Sequence, residues 1–313
     1  MAGKHDSLLF ALGRAKLTGS AKTTYNHKKE AAGFVKVLRS LGYGVKEWVN
    51  VTNKHVAVAV EKWKSDDLSA ATIKSYMSGV RAVCLAFGND RIHEDNDAFG
   101  IAHRVYISNQ DKSVSDEAYR KAVRALEQGD GNDRRVAFML RLQREFGLRL
   151  EESMKLNPSR DAEGDLLHVH VGTKGGRPRW VPIRTESQRS LLEDAKGSGF
   201  YPALGAGLIP KDVKEKTWRG IVYRTVREQG FTKVEAGTMH GLRHAYSHER
   251  YRELTGFELP VKYKDAGSYL AQAETLGGRD WKTKDEQARC AIREEMGHGV
   301  GREDIDSQYL GRY

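Results

Sequence analysis

The chain has 313 residues, a length that exceeds one typical compact domain and suits two. A formal net charge of +10 favours a polyanionic partner such as nucleic acid. Two isolated cysteines, Cys84 and Cys290, exclude a disulfide framework and a thiolate zinc site. The sequence has no apolar run long enough to span a bilayer and no signal-peptide core at its start, so we expect a cytoplasmic protein.

Apolar residues at helical spacing predict amphipathic helices throughout residues 1–110. One runs from Tyr25 to Leu41, a second from Asn53 to Trp63, and a third begins after Ser69 as its N-cap. The predicted buried stripes are Ala31, Phe34, Val35, Leu38 and Leu41 in the first helix and Ile73, Met77, Val80, Cys84 and Phe87 in the third. This region holds 16 lysines and arginines against 10 acidic residues. A basic helical domain suits a DNA clamp, although the same pattern fits an ordinary bundle.

A polar, turn-prone segment from Tyr106 to Ser115 predicts a linker, so we assign domains to residues 1–110 and 111–313. The second domain shows helical patterns interrupted by two alternating segments that predict a β-hairpin. The predicted helices are 115–128, 133–147, 185–196, 211–229 and 240–254, and the strands are 166–171 and 179–183. The expected fold class is therefore mostly α with a small β-hairpin or sheet (α+β).

Two segments of the second domain carry basic residues in settings that suit phosphate chemistry. Arg149 lies on a turn after Gly147, and Glu152 follows one helical turn later. Alone, such a pair is more typical of a surface ion pair than of a functional site. Lys174 lies in the glycine-rich turn of the hairpin, from which an ammonium group can enter a DNA groove and deliver a proton. A solvated turn is the alternative.

Two further segments contain histidine, arginine and tyrosine. His240 and Arg243 are three residues apart on a predicted helix, so the imidazole and the guanidinium share a face that suits a phosphate oxygen and a neighbouring hydroxyl. His298 follows Gly297, and Tyr309 lies close to the end of the sequence, where a tyrosine is normally a surface residue. Each segment alone is a weak signal, whereas their order along the chain is specific.

In this order, the segments resemble the catalytic signature of the tyrosine recombinase family, which includes phage-type integrases. The matching segments are Gly-Leu-Arg149-x-x-Glu152, Thr-Lys174 before Arg-Pro-Arg-x-Val-Pro-Ile, His240-x-Leu-Arg243-His244, Met-Gly-His298 and Tyr309-Leu-Gly. The resemblance covers the second domain, and the helical first domain is similar to the family's core-binding domain. Residues 255–288 look like an insertion. The eleven positions from His298 to Tyr309 exceed the usual spacing, so Tyr313 stays open as the alternative nucleophile.

The resemblance implies a site-specific recombinase or integrase that cleaves and rejoins DNA through a 3′-phosphotyrosyl intermediate. Arg149 and Arg243 would stabilise the non-bridging phosphate oxygens, with Glu152 orienting Arg149. Tyr309 would be the nucleophile and His240 would accept its proton. Lys174 would protonate the departing 5′ oxygen, and His298 would bind the scissile phosphate.

The resemblance implies no metal or other cofactor. The implied partner is double-stranded DNA with a specific recombination site, bound by a homotetramer in the cytoplasm, with accessory DNA-bending proteins as optional partners and no membrane. Two alternatives stay open on the sequence. A type IB topoisomerase has a similar residue set and the same covalent chemistry, and a non-catalytic DNA-binding regulator could share the fold.

Overall fold

A computed structural model describes residues 6–103, 109–201, 207–299 and 301–313 of the chain. The chain divides into two compact units, residues 1–105 and 106–313, and each has its own hydrophobic core. The start of the predicted linker, residues 106–108, lies outside the described residues. Within the described ranges, no helix combines the length and apolar character needed to cross a membrane.

The first unit is a helical bundle, as its periodicity predicts. Its described α-helices are α1 (Ser7–Leu12), α2 (Ala21–Ser40), α3 (Asn53–Ser65) and α4 (Ala70–Ala86). The Ser69 side chain accepts a hydrogen bond from the backbone of Thr72 and caps α4, as expected. One stripe residue was wrongly predicted. Leu41 lies beyond the end of α2 and is 41% exposed, because the chain turns at Gly42, where φ is +81°.

The second unit packs helices around a small antiparallel sheet. Its described helices are α5 (Asp116–Glu127), α6 (Gly131–Phe146), α7 (Leu150–Lys155), α8 (Pro158–Asp161), α9 (Glu186–Gly197), α10 (Glu215–Glu228), α11 (His240–Thr255), α12 (Ala266–Gly277), α13 (Trp281–Glu295) and α14 (Glu303–Leu310). Ser115 caps α5 through the backbone of Ala118, as the sequence predicts. The predicted fold class is confirmed.

The sheet has three strands, β1 (Ala162–Glu163), β2 (Leu166–Val169) and β3 (Arg179–Pro182), in the order β1–β2–β3. Strands β2 and β3 form the predicted hairpin, with Leu167 paired to Val181 and both side chains buried. Strand β1 is not predictable from the sequence, since two residues are too short for an alternating pattern. The connection between β2 and β3 carries the glycine-rich turn.

The segment 255–288, which looked like an insertion, is part of the second core. It contains α12 and the first half of α13. Phe257, Leu259 and Tyr269 from this segment are almost completely buried. The Tyr269 hydroxyl lies 3.2 Å from that of Tyr251 on α11, which ties α12 to the helix that begins at His240.

Candidate active site

The turn between α6 and α7 brings Arg149 to the site. Helix α6 ends at Phe146 and is capped by Gly147, where φ is +59°. A Cβ atom at Gly147 would lie only 2.5 Å from the ring of Tyr246, so this position requires glycine. Arg149 is the N-cap of α7 and donates to Glu152 from its backbone N–H at 2.7 Å and from Nη1 at 2.8 Å. Burial raises the pKa of Glu152, but hydrogen bonds and charge from Arg179 and the charge of Arg149 outweigh it and hold that pKa at about 2.

Helix α11 places Arg243 beneath the site. Only 1% of Arg243 is exposed, and its guanidinium donates to the carbonyl oxygens of Gly147 and Met296. Its Nε lies 3.3 Å from the Tyr309 hydroxyl, and Nη2 lies 3.0 Å from Nε2 of His298. Desolvation lowers the pKa of Arg243 to about 10, so the group keeps its charge at neutral pH.

His298 enters the site from the loop between α13 and α14. The residue is 7% exposed, and desolvation together with the charges of Arg243 and Arg149 lowers its pKa to about 2. The imidazole is therefore neutral. Because an arginine N–H can only donate, Nε2 of His298 is the acceptor and the proton lies on Nδ1.

Tyr309 lies in the last turn of α14 and is 6% exposed. Its hydroxyl lies 3.0 Å from Nε2 of His240, and its ring stacks on His244 with a centroid separation of 4.3 Å. The backbone carbonyl of Tyr309 lies 2.9 Å from Nε2 of His248. Tyr313 lies elsewhere, because its hydroxyl donates to the carbonyl oxygen of Tyr263.

His240 is the first residue of α11, at the rim of the site, and remains open to solvent. Desolvation by the surrounding protein and the charges of Arg243 and Arg149 lower its pKa to about 4. A neutral imidazole leaves Nε2 free to accept the phenolic proton of Tyr309, while Arg243 donates to the same phenolic oxygen. The geometry thus supplies an acceptor for the proton and a donor for the oxygen.

An open pocket of about 540 Å³ joins these groups. Five of the six predicted site residues line it, while Arg243 lies behind it. The five are Arg149, Lys174, His240, His298 and Tyr309. Lys174 is exposed on the turn between β2 and β3. Such a pocket, with cationic groups around a tyrosine hydroxyl, suits a phosphodiester anion.

Several residues in and around this pocket were not predicted from the sequence, among them Lys112, Arg179, His244 and His248. The two histidines lie four and eight residues after His240, so helical periodicity could have identified them. Nothing local distinguishes Lys112 from other polar residues of the linker. Among the described residues, no group of three or more histidine, cysteine or acidic side chains could hold a metal ion.

The two units match two integrase families separately. The family described as "Phage integrase, N-terminal" matches residues 7–93, and the family described as "Integrase" matches residues 102–249. Together these matches span most of the chain, which therefore belongs to the integrase family of tyrosine recombinases. The resemblance inferred from the motifs is thereby confirmed. No curated protein sequence matches the chain significantly.

Solved structures of recombinases share the fold. A lambda integrase dimer bound to a COC′ core site is 16% identical, with a TM-score of 0.60 over 94% of this chain and 72% of that chain. The Tn1549 transposon integrase bound to transposon right-end DNA is 13% identical and has a TM-score of 0.60. The match covers 98% of this chain and 94% of that chain. The XerH recombinase in a post-cleavage complex is 14% identical and has a TM-score of 0.51. The match covers 96% of this chain and 89% of that chain.

Proposed function

We propose that this protein is a site-specific DNA recombinase that cleaves and rejoins DNA through a 3′-phosphotyrosyl intermediate. The observation that supports this function best is the environment of the Tyr309 hydroxyl. It contacts His240 at 3.0 Å and Arg243 at 3.3 Å and opens into a pocket lined by cationic side chains.

In the proposed step, the Tyr309 oxygen attacks the scissile phosphorus while its proton passes to Nε2 of His240. The bond from phosphorus to the 5′ oxygen breaks, and Lys174 supplies the proton that this oxygen gains. The new phosphotyrosyl ester replaces the old phosphodiester, so attack by a 5′ hydroxyl reverses the step without ATP. A phenol holds its proton at neutral pH, which is why an acceptor in contact with it matters.

Arg149, which lines the pocket, and Arg243, which lies behind it, would stabilise the non-bridging oxygens as negative charge develops in the transition state. Arginine suits this role because its planar fork is permanently charged and donates two hydrogen bonds side by side. His298 would add a hydrogen bond to the same phosphate. These groups supply charge stabilisation that divalent ions supply in many nucleases, so we propose that the reaction needs no metal.

The remaining parts of the proposal concern assembly. We propose that residues 1–110 form a DNA clamp, as their excess of lysine and arginine favours, and that residues 111–313 form the catalytic domain. A lambda integrase tetramer bound to a Holliday junction has the same fold, with a TM-score of 0.61, and supports a homotetramer on DNA as the working form. Such a recombinase would act on cytoplasmic DNA, with accessory DNA-bending proteins as optional partners.

The decisive experiment captures the covalent intermediate. The full chain would be incubated with DNA duplexes of randomised sequence. Each duplex carries a nick placed so that cleavage releases the 5′-hydroxyl fragment, which prevents rejoining. The DNA in covalent adducts would then be sequenced. We expect an enriched site and an adduct peptide that contains Tyr309. Relaxation of supercoiled plasmid with no sequence enrichment would instead indicate a topoisomerase, and the absence of any adduct would contradict catalysis.

A further inference from the structure

Arg179, the first residue of β3, lies behind the site and is 7% exposed. Its Nη1 and Nη2 donate to the two carboxylate oxygens of Glu152 at 2.9 and 2.8 Å, and its Nε donates to the carbonyl oxygen of Glu295 at 2.6 Å. The side chain thereby connects the strand after the Lys174 turn, the turn of Arg149 and the end of α13.

The Glu152 carboxylate accepts hydrogen bonds from two arginines, Arg149 and Arg179. Its Oε1 accepts from Nη1 of Arg149 and from Nη1 of Arg179, and its Oε2 accepts from the backbone N–H of Arg149 and from Nη2 of Arg179. Because Arg179 forms the two-bond fork with the carboxylate, Arg149 contributes only one side-chain hydrogen bond to it. The rest of the Arg149 fork stays directed to the pocket that Arg149 lines.

On this basis, which rests on the proposed function, we propose that Arg179 is a positioning residue that keeps the Arg149 guanidinium available for the scissile phosphate. Without the Arg179 fork, each oxygen of the buried Glu152 carboxylate would lose one of its two donors and could accept a further hydrogen bond from the Arg149 side chain. A bidentate arginine–carboxylate pair is the preferred geometry, so Arg149 would turn from the pocket towards Glu152. The effect of Arg179 on cleavage would then pass through Arg149.

The test is a double-mutant cycle on the nicked duplex that the wild-type protein captures. Arg179→Lys keeps the positive charge but cannot donate two parallel hydrogen bonds to the carboxylate. We expect the rate of single-turnover cleavage to fall about 10- to 100-fold, which is the effect that small displacements of catalytic groups have. DNA affinity should stay within about threefold. In an Arg149→Ala background, the same substitution should change the rate by less than about threefold, because the group it positions is absent.

The matched control is Arg189→Lys. Arg189 also donates to a carboxylate, Asp165 at 2.7 Å, and to a carbonyl oxygen, Ile183 at 3.3 Å, but its side chain is 45% exposed. We expect wild-type cleavage from it. Thermal melting verifies folding. If Arg179→Lys does not fold, Arg179→Gln, which also lacks the two-bond fork, replaces it in the cycle with the same expected non-additivity.

Two results would overturn the positioning role: wild-type cleavage by Arg179→Lys, or an equal loss in the wild-type and Arg149→Ala backgrounds. The second would indicate an effect of Arg179 independent of Arg149. Failure of the proposed function gives a result distinct from these two, because the wild-type protein itself would then form no covalent adduct on any duplex of the library.

Discussion

Arg243→Lys tests how much of the site depends on one buried guanidinium. Arg243 donates to the carbonyl oxygens of Gly147 and Met296 and to the Tyr309 hydroxyl, and it is 1% exposed. A lysine ammonium has a single nitrogen and cannot reach these acceptors together. The desolvation that lowers the pKa of Arg243 to about 10 would also lower the pKa of the substituted lysine and weaken its charge.

Two magnitudes follow from these contacts. A buried carbonyl oxygen left without its donor costs about 1–3 kcal/mol, so we expect the free energy of unfolding to fall by about 2 kcal/mol. For a domain of this size, that lowers the Tm by about 4–8 °C. Loss of a transition-state donor should slow cleavage at least about 100-fold, equivalent to about 2.7 kcal/mol.

The assay measures adduct formation in a single turnover on a nicked duplex, together with DNA affinity and thermal melting. Arg149→Lys is the informative comparison, because the Arg149 side chain is 22% exposed and, within the described part of the chain, donates to Glu152 alone. We expect it to lose cleavage to a similar degree with a smaller loss of stability. Arg252→Lys, on the same helix with a 43% exposed side chain, is the control and should match the wild type.

Both arginine variants should retain DNA binding, since lysine preserves most of the electrostatic attraction to the backbone. A cleavage rate for Arg243→Lys near that of the wild type, in a protein with a lowered Tm, would refute the reasoning. It would show that the guanidinium holds the fold together and does not stabilise the transition state.

Four further predictions concern the nucleophile, the DNA, metals and pH. Tyr309→Phe should abolish the covalent adduct while Tyr313→Phe retains it, because of these two tyrosines Tyr309 is the one that contacts His240. Peptide mapping of the adduct identifies the attached tyrosine. The reverse pattern would assign the nucleophile to Tyr313. DNA affinity should fall steeply between roughly 50 and 200 mM salt through counterion release, so a flat titration would contradict the DNA-clamp proposal. Adducts should form in excess EDTA; activity lost on chelation and restored by magnesium would contradict the metal-free proposal. Burial lowers the pKa values of His244, His248 and His298 to about 3, 4 and 2 in the folded protein. As the pH drops below about 6.5, the unfolded chain therefore binds protons that the folded chain does not. The free energy of unfolding should fall by up to about 1.4 kcal/mol per histidine per pH unit. Urea titrations at pH 7 and pH 5 measure this, with His244→Phe expected to be less pH-sensitive; equal stability at both values would show that these histidines titrate normally.

The sequence by itself determined the class of fold and the order of the chemical groups. Periodicity located α2, α3 and α4 of the first unit and α5, α6, α9, α10 and α11 of the second, because helical spacing of apolar residues is a local property that survives without tertiary context. It did not locate α12 and α13, which begin in the segment 255–288 that looked like an insertion. Cap residues such as Ser69 and Ser115 set helix starts for the same reason. The Gly-Leu-Arg149 and His240-x-x-Arg243 segments identified the family, since order along the chain needs no knowledge of distances.

Only the tertiary structure decided which groups meet. By sequence, Tyr309 is the favoured nucleophile and Tyr313 stays open as the alternative. The structure separates them, because α14 packs so that Tyr309 lies on His244 and beside His240 while the Tyr313 hydroxyl contacts Tyr263. The fork from Arg179 to Glu152 spans 27 positions and joins a strand to a helix, so no local pattern could reveal it. Burial and the charges of Arg243 and Arg149 keep the imidazole of His298 a neutral acceptor for Arg243, and both are properties of the packed chain.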